Sequence, residues 1–131
     1  MNKDLPDNEV KNVTVVIQPG NEDEHWSVHL INSNSFPIKN ILVASEGYGE
    51  MSENREKTSI LRQFFEELGP RSSTSIELID PAVFHLFNEY GVTYYIDKDI
   101  YFKKFVFVPD SIVKENLQHN SIMMTEVVEH S

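Results

Sequence analysis

The chain has 131 residues and no cysteine. That excludes disulfides, thiolate metal sites and a cysteine nucleophile. Cationic side chains are scarce: 11 Lys and Arg stand against 21 Asp and Glu, a net charge of −10. Such a field repels phosphate backbones and anionic lipid, so neither nucleic acid nor a membrane surface is an expected partner. The one small basic group is Lys103 and Lys104, with Lys57 and Arg62, and it reads as a solvated strand face. No apolar run approaches the ~18 residues of a spanning helix. The longest, 13–17 and 105–108, are strand-sized. The first ten residues, MNKDLPDNEV, lack the apolar stretch of a secretory signal. With no signal, no spanning segment and no cysteine, the expected location is cytoplasmic.

What is present suits one globular domain. Hydrophobic residues make up 40% and charged residues 24% of the chain, which argues against disorder throughout. A chain of this size buries roughly 65–70% of its unfolded surface. Residues 1–12 read as a polar flexible arm, 13–112 as the domain and 113–131 as a C-terminal tail. In that tail, Ile122-Met123-Met124 and Val127-Val128 are apolar islands among polar residues.

The segments inside the domain carry strand signatures. The run 12–18 (NVTVVIQ) is β-branched and stops at Pro19-Gly20. In 26–32 (WSVHLIN), Trp26, Val28 and Leu30 alternate with Ser27 and His29, the period of a half-buried strand. A turn cluster at 32–35 and then 38–45 (IKNILVAS) suggest an antiparallel partner, ended by Gly47-Tyr48-Gly49. Residues 50–57 form a charged loop. The run 58–65 (TSILRQFF) fits strand or helix, and its context favours strand. Strands follow at 72–79, 91–97 and 100–108, while Asp80-Pro81 opens a short helix near 81–88. The expected fold is therefore all-β: an antiparallel β-sandwich of about seven strands, immunoglobulin-like in architecture alone, with that one short helix.

Catalytic and metal-binding patterns are weak. His25 and His29 are spaced i, i+4, but in a strand they sit about 13 Å apart, too far for one zinc. His85 lies among apolar residues and reads as a core-edge histidine. Glu22-Asp23-Glu24 lacks the spacing of a calcium loop. Gly47-Tyr48-Gly49 has no third glycine of a dinucleotide fingerprint and reads as a turn. No serine sits in a G-x-S-x-G elbow. No catalytic residue, metal ligand or cofactor is expected.

Aromatic residues carry more information. Nine of the 14 fall between Phe84 and Phe107. Tyr94 and Tyr95 are consecutive, as are Tyr101 and Phe102, so one of each pair faces away from the main core. The candidate interface or ligand surface is Tyr94, Tyr95, Tyr101, Phe102, Phe105 and Phe107, with Met123 and Met124 of the tail. A candidate pocket lies near Trp26, Tyr48 or Tyr90.

The runs WSVHLINSNSFPIKNILVASEGYG, KTSILRQFFEELGPRSSTSIELI and NEYGVTYYIDKDIYFKKFVFVPDSI together resemble a family of small bacterial proteins of about this length. Some of them carry the label "phenylalanyl-tRNA synthetase subunit alpha". The resemblance covers most of residues 10–112 and implies no catalytic residue. A synthetase core needs a longer chain and an ATP-binding sheet with its arginines. Here Arg55 lies in a charged loop, Arg62 in a strand and Arg71 beside a turn. The functional expectation is a non-enzymatic module that binds a protein partner or a second copy of itself. The alternative is a small-ligand-binding domain.

Overall fold

A computed structural model describes residues 8–21, 24–49 and 60–130. Among them run nine strands: β1 (Val13–Gln18), β2 (Trp26–Asn32), β3 (Ile38–Tyr48), β4 (Leu61–Leu68), β5 (Ser72–Ile79), β6 (Phe87–Ile96), β7 (Asp99–Phe107), β8 (Gln118–Asn120) and β9 (Thr125–Glu129). They form two sheets, one ordered β5-β2-β1-β9-β8 and the other β4-β3-β6-β7. Every ladder pairing is antiparallel. The fold is an all-β sandwich.

The sheets meet because alternate residues on each strand are apolar and point between them. Val15, Ile17, Val28 and Leu30 from one sheet meet Ile41, Val43, Tyr90, Val92 and Phe105 from the other, all buried. Each such aliphatic side chain contributes about 1.5–3 kcal/mol on burial. Two bulges adjust which residues face in. At β2–β5, Val28 pairs Glu77 and His29 pairs Ser75, leaving Ile76 as the extra residue. Ile76 and Glu77 consequently both turn toward the other sheet. At β3–β6 the register shifts between Lys39 and Leu42, where Asn40 adopts φ 50°. That shift lets Ile38 and Ile41 both enter the core.

One end of the sandwich is tied by asparagines. The buried Asn32 side chain donates to the carbonyls of Phe36 (2.9 Å), Leu68 (3.2 Å) and Gly69 (2.9 Å). Its Oδ1 accepts the Asn34 backbone N–H (3.0 Å) and side-chain amide (2.9 Å). Asn34 in turn reaches Lys11 O and accepts from Asn12. Three connections are thereby held together, with their buried polar groups paired.

Several expectations need correction. No α-helix forms at 81–88. Asp80 caps a single 3₁₀ turn, Pro81–Val83, by accepting the Ala82 N–H (2.9 Å), and Phe87 already begins β6. The expected cap chemistry is present, but the β3–β6 ladder claims the residues beyond that turn and keeps the helix short. Gly47 and Tyr48 are not a turn. They continue β3, pairing Asn88 and Phe87. The strand expected at 58–65 is β4, Leu61–Leu68, and Thr58 and Ser59 lie outside the described residues. So do Glu22 and Asp23 of the acidic loop and residues 50–57. Of the arm, Asn8 bridges to Tyr101 and donates to Ile100 O (2.8 Å).

The boundary at 112 is also displaced. Within 113–131, β9 pairs with β1 and β8 pairs with β9. Val128 enters the main core, while Val127 joins Val16 and Ile31 in a smaller cluster on the other side of that sheet. Ile122 and Met123 cover this cluster. Asn120 Oδ1 accepts the Ile122 (3.0 Å) and Met123 (2.9 Å) N–H groups and shapes the turn that places them.

Candidate functional site

The outward face of β4-β3-β6-β7 is built by strict alternation. Ile41, Val43 and Ser45 point inward on β3, so Leu42, Ala44, Glu46 and Tyr48 point outward. Register carries this alternation across the sheet. Leu42 lies opposite Phe64 and Thr93, and Thr93 opposite Phe102. Ala44 lies opposite Arg62 and Gly91, and Gly91 opposite Lys104. Glu46 lies opposite Glu89, and Tyr48 opposite Phe87.

Inside an outermost row of Tyr95 and Ile100, the face reads in four further layers along the strands. The first is mainly apolar, with Phe64, Leu42 and Phe102 and the small Thr93 between the last two. The second has a cation at each edge, Arg62 and Lys104, over the small residues Ala44 and Gly91. The third has an acidic centre, Glu46 and Glu89, with Val106 beside Glu89 on the edge strand. The fourth is the stacked Tyr48–Phe87 pair, ring centroids 5.3 Å apart. Phe64 is 62% exposed and Leu42 42%. The small second layer leaves a shallow groove of about 210 Å³, walled by Leu42, Ile60, Phe102 and the charged side chains. Phe102 leans over Gly91, where a Cβ would meet its ring at 3.5 Å. Glu89 accepts the Tyr48 hydroxyl (3.1 Å) and sits 3.9 Å from the Lys104 ammonium.

A second feature lies between the open edges of β4 and β5. A cavity of about 240 Å³ is lined by Ser45, Glu77, Tyr90, Asn88 and Asp80, with Leu61 and Val83 among its apolar walls. The bulge at Ile76 aims Glu77 into it. Glu77 accepts the Tyr90 hydroxyl (2.8 Å) and the Ser45 hydroxyl (3.2 Å). Burial first, then the Glu77 charge and hydrogen bond, push the Tyr90 hydroxyl pKa far up. Asn88 donates to Val83 O (3.0 Å) and Leu86 O (3.2 Å). The Gln63 side chain on β4 donates to Ile76 O and bridges the two sheets.

The sequence-predicted residues scatter over these regions. Tyr94, Phe105 and Phe107 are not surface residues. They point inward from β6 and β7 and are 1–3% exposed, because the parity that turns Tyr95 and Phe102 out turns them in. Tyr101 stacks on Tyr94 at the end of the sandwich, centroids 5.2 Å apart. Phe102 does lie on the outward face, and Tyr95 beside it is partly buried. Met123 covers the smaller cluster, far from the aromatic strands in connectivity, and Met124 at the turn is 80% exposed. Trp26, Tyr48 and Tyr90 do not share a pocket. Trp26 packs edge-on against Phe84 at 5.2 Å, Tyr48 lies on the outward face, and only Tyr90 reaches the Glu77 cavity. Sequence reasoning misses Leu42, Phe64, Ala44 and Gly91 as surface residues. Period two alone could have grouped Leu42 with Ala44, but pairing them with β4 and β6 requires register.

Among the described residues, no group of three or more His, Asp or Glu side chains could hold a metal ion. His29 and Ser27 share a hydrogen bond of 2.8 Å, and burial holds the His29 pKa below its usual value. No helix among the described residues is long and apolar enough to cross a membrane, which says nothing about strands. In comparisons with known proteins, no family model, no curated protein and no solved structure matches the chain.

Proposed function

We propose that this domain is a non-enzymatic protein-interaction module that docks its partner on the outward face of β4-β3-β6-β7. The observation that carries this reading is the apolar layer of that face. Phe64 and Leu42 stand side by side in solvent, with Phe102 across Thr93 on the same row, on the flat surface of a sheet rather than in a loop. Contiguous exposed apolar side chains of this kind mark interaction surfaces. Aromatic residues ringed by charge are the usual anatomy of such surfaces.

Edge pairing fits less well. On the edge strand β7, Lys103 has the inward parity of Phe105, and its ammonium lies 5.0 Å from the Phe105 ring. An inward-facing charge of this kind blocks strand addition. The small-ligand alternative would use the Glu77 cavity. Its polar groups already bond one another, whereas a ligand site needs groups converging on the guest.

The test is a photo-crosslinking phenylalanine analogue placed at Phe64, compared with one at Ser73 on β5. In cells, adducts should form from position 64, vanish when Leu42→Asp is added, and be absent from position 73. Equal yields from both positions, or none from 64, would refute the reading.

A further inference from the structure

We infer that the occupant of this face is a second copy of the chain, packed face to face about a two-fold axis that lies midway between the two sheets, parallel to them, and runs across the strands between the cationic and acidic layers. This rests on the docking face proposed above and names its partner.

The order of the layers selects this arrangement. Along the strands the face reads apolar, cationic, acidic, apolar: Phe64 and Leu42, then Arg62 and Lys104, then Glu46 and Glu89, then Tyr48. Turning a copy over about the stated axis reverses that order. Each strand then lies over its own copy, so the central Glu46 and Glu89 sit over Ala44 and Gly91 of the other copy, flanked on the neighbouring edge strands by that copy's Arg62 and Lys104, twice by symmetry. The layer of Phe64 and Leu42 in one copy covers the layer of Tyr48 and Phe87 in the other. An isologous interface demands this kind of self-complementarity.

The alternative axis, parallel to the strands, keeps each layer on itself. It would set Arg62 against Lys104 of the other copy and glutamate against glutamate. Like charges brought together across an interface cost several kcal/mol. Charge therefore selects one of the two in-plane axes. The small residues Ala44 and Gly91 help, since they open room beneath the long charged side chains of the other copy.

Area agrees with a weak dimer. Four strands about 4.8 Å apart and four layers about 6.8 Å apart cover on the order of 500 Å². Two such faces bury roughly 1,000 Å², the lower bound of specific interfaces. Aligned sheet packing at about 30° keeps the layers over one another near the axis.

The experiment uses the purified full chain and measures solution mass by light scattering across a wide concentration range. The wild type should rise from the mass of one chain to that of two. R62E/K104E should stay at one chain, and so should E46K/E89K. An equimolar mixture of the two variants should recover the doubled mass, because each now supplies the layer the other lacks. Circular dichroism melts check that each variant folds. If E46K/E89K does not fold, since Glu89 holds the Tyr48 hydroxyl, R62E/K104E decides alone by losing the doubled mass. A dimer that survives R62E/K104E overturns the inference. A wild type of single-chain mass at every concentration also overturns it. In that case crosslinks from position 64 to another protein would leave the docking face standing, and their absence would remove both.

Discussion

Tyr90 and Tyr94 lie four residues apart on β6, both inward and both 1% exposed, yet removing their hydroxyls should move stability in opposite directions. Tyr90 Oη donates to Glu77 Oε2 at 2.8 Å. A hydrogen bond to a charged group is worth about 1.5–3 kcal/mol, and Tyr90→Phe leaves Glu77 with the Ser45 hydroxyl alone. At ~2.1 cal/mol/K per residue, a chain of this length loses about 0.28 kcal/mol/K on folding, so Tyr90→Phe should lower Tm by about 5–10 °C. Tyr94 Oη is buried and has no hydrogen-bond partner among the described residues. Burying a hydroxyl unpaired costs about 1 kcal/mol or more, so Tyr94→Phe should raise Tm by about 4 °C. The Tyr94 ring keeps its stack on Tyr101 in either case. Burial raises both phenol pKa values, helped by Glu77 for Tyr90 and by Tyr101 for Tyr94. Melts near neutral pH therefore compare neutral hydroxyls. Thermal circular dichroism of the two variants beside the wild type is the assay. Shifts of the same sign and size would refute the hydrogen-bond assignment.

Three further outcomes are expected. A Cβ at Gly91 would meet its nearest neighbours at 3.5–3.8 Å, ordinary contact distances. Gly91→Ala should therefore stabilise by about 0.5–1 kcal/mol through the unfolded chain, read as a higher Tm. His130 packs edge-on against Phe105 and Phe107, and burial, then Lys103, lower its pKa from 6.5. The unfolded chain then binds its proton more readily, so this group's stability is present above pH 6.5 and is lost as pH falls through and below it. His130→Phe should flatten that part of the pH–Tm curve, and an unchanged slope between about pH 7 and 5 would contradict the assignment. Finally, a chain ending at Ile112 loses β9 from the side of β1 and the burial of Val127 and Val128. At about 1.5–3 kcal/mol per side chain, it should melt without cooperativity or not fold, as circular dichroism would show.

Much of the fold is legible in the sequence because strand periodicity is local. Alternation in 26–32, the β-branched run 12–18 and the break at Pro19-Gly20 all survive in the structure. The elements that sequence misplaces are those decided by distant partners. A helix start at Asp80-Pro81 is real, but it stops after one turn because Phe87 finds Tyr48 on β3. The tail looks detachable because β9 is only five residues long, and its stability comes from β1, more than a hundred residues earlier. The site is the least legible part. Consecutive aromatics require that one of each pair faces out, but not which.

By itself, then, the sequence determined an acidic, cysteine-free, all-β chain with alternating strands, since composition and period two are properties of neighbouring residues. Only the tertiary structure decided that Phe102 faces out while Tyr94 and Phe105 face in. It also decided that Glu77 enters the sandwich and that Leu42, Ala44, Arg62 and Gly91 share one face. The physical reason is register. A strand has two equivalent faces until it pairs, and one extra residue at a bulge reverses every side chain beyond it.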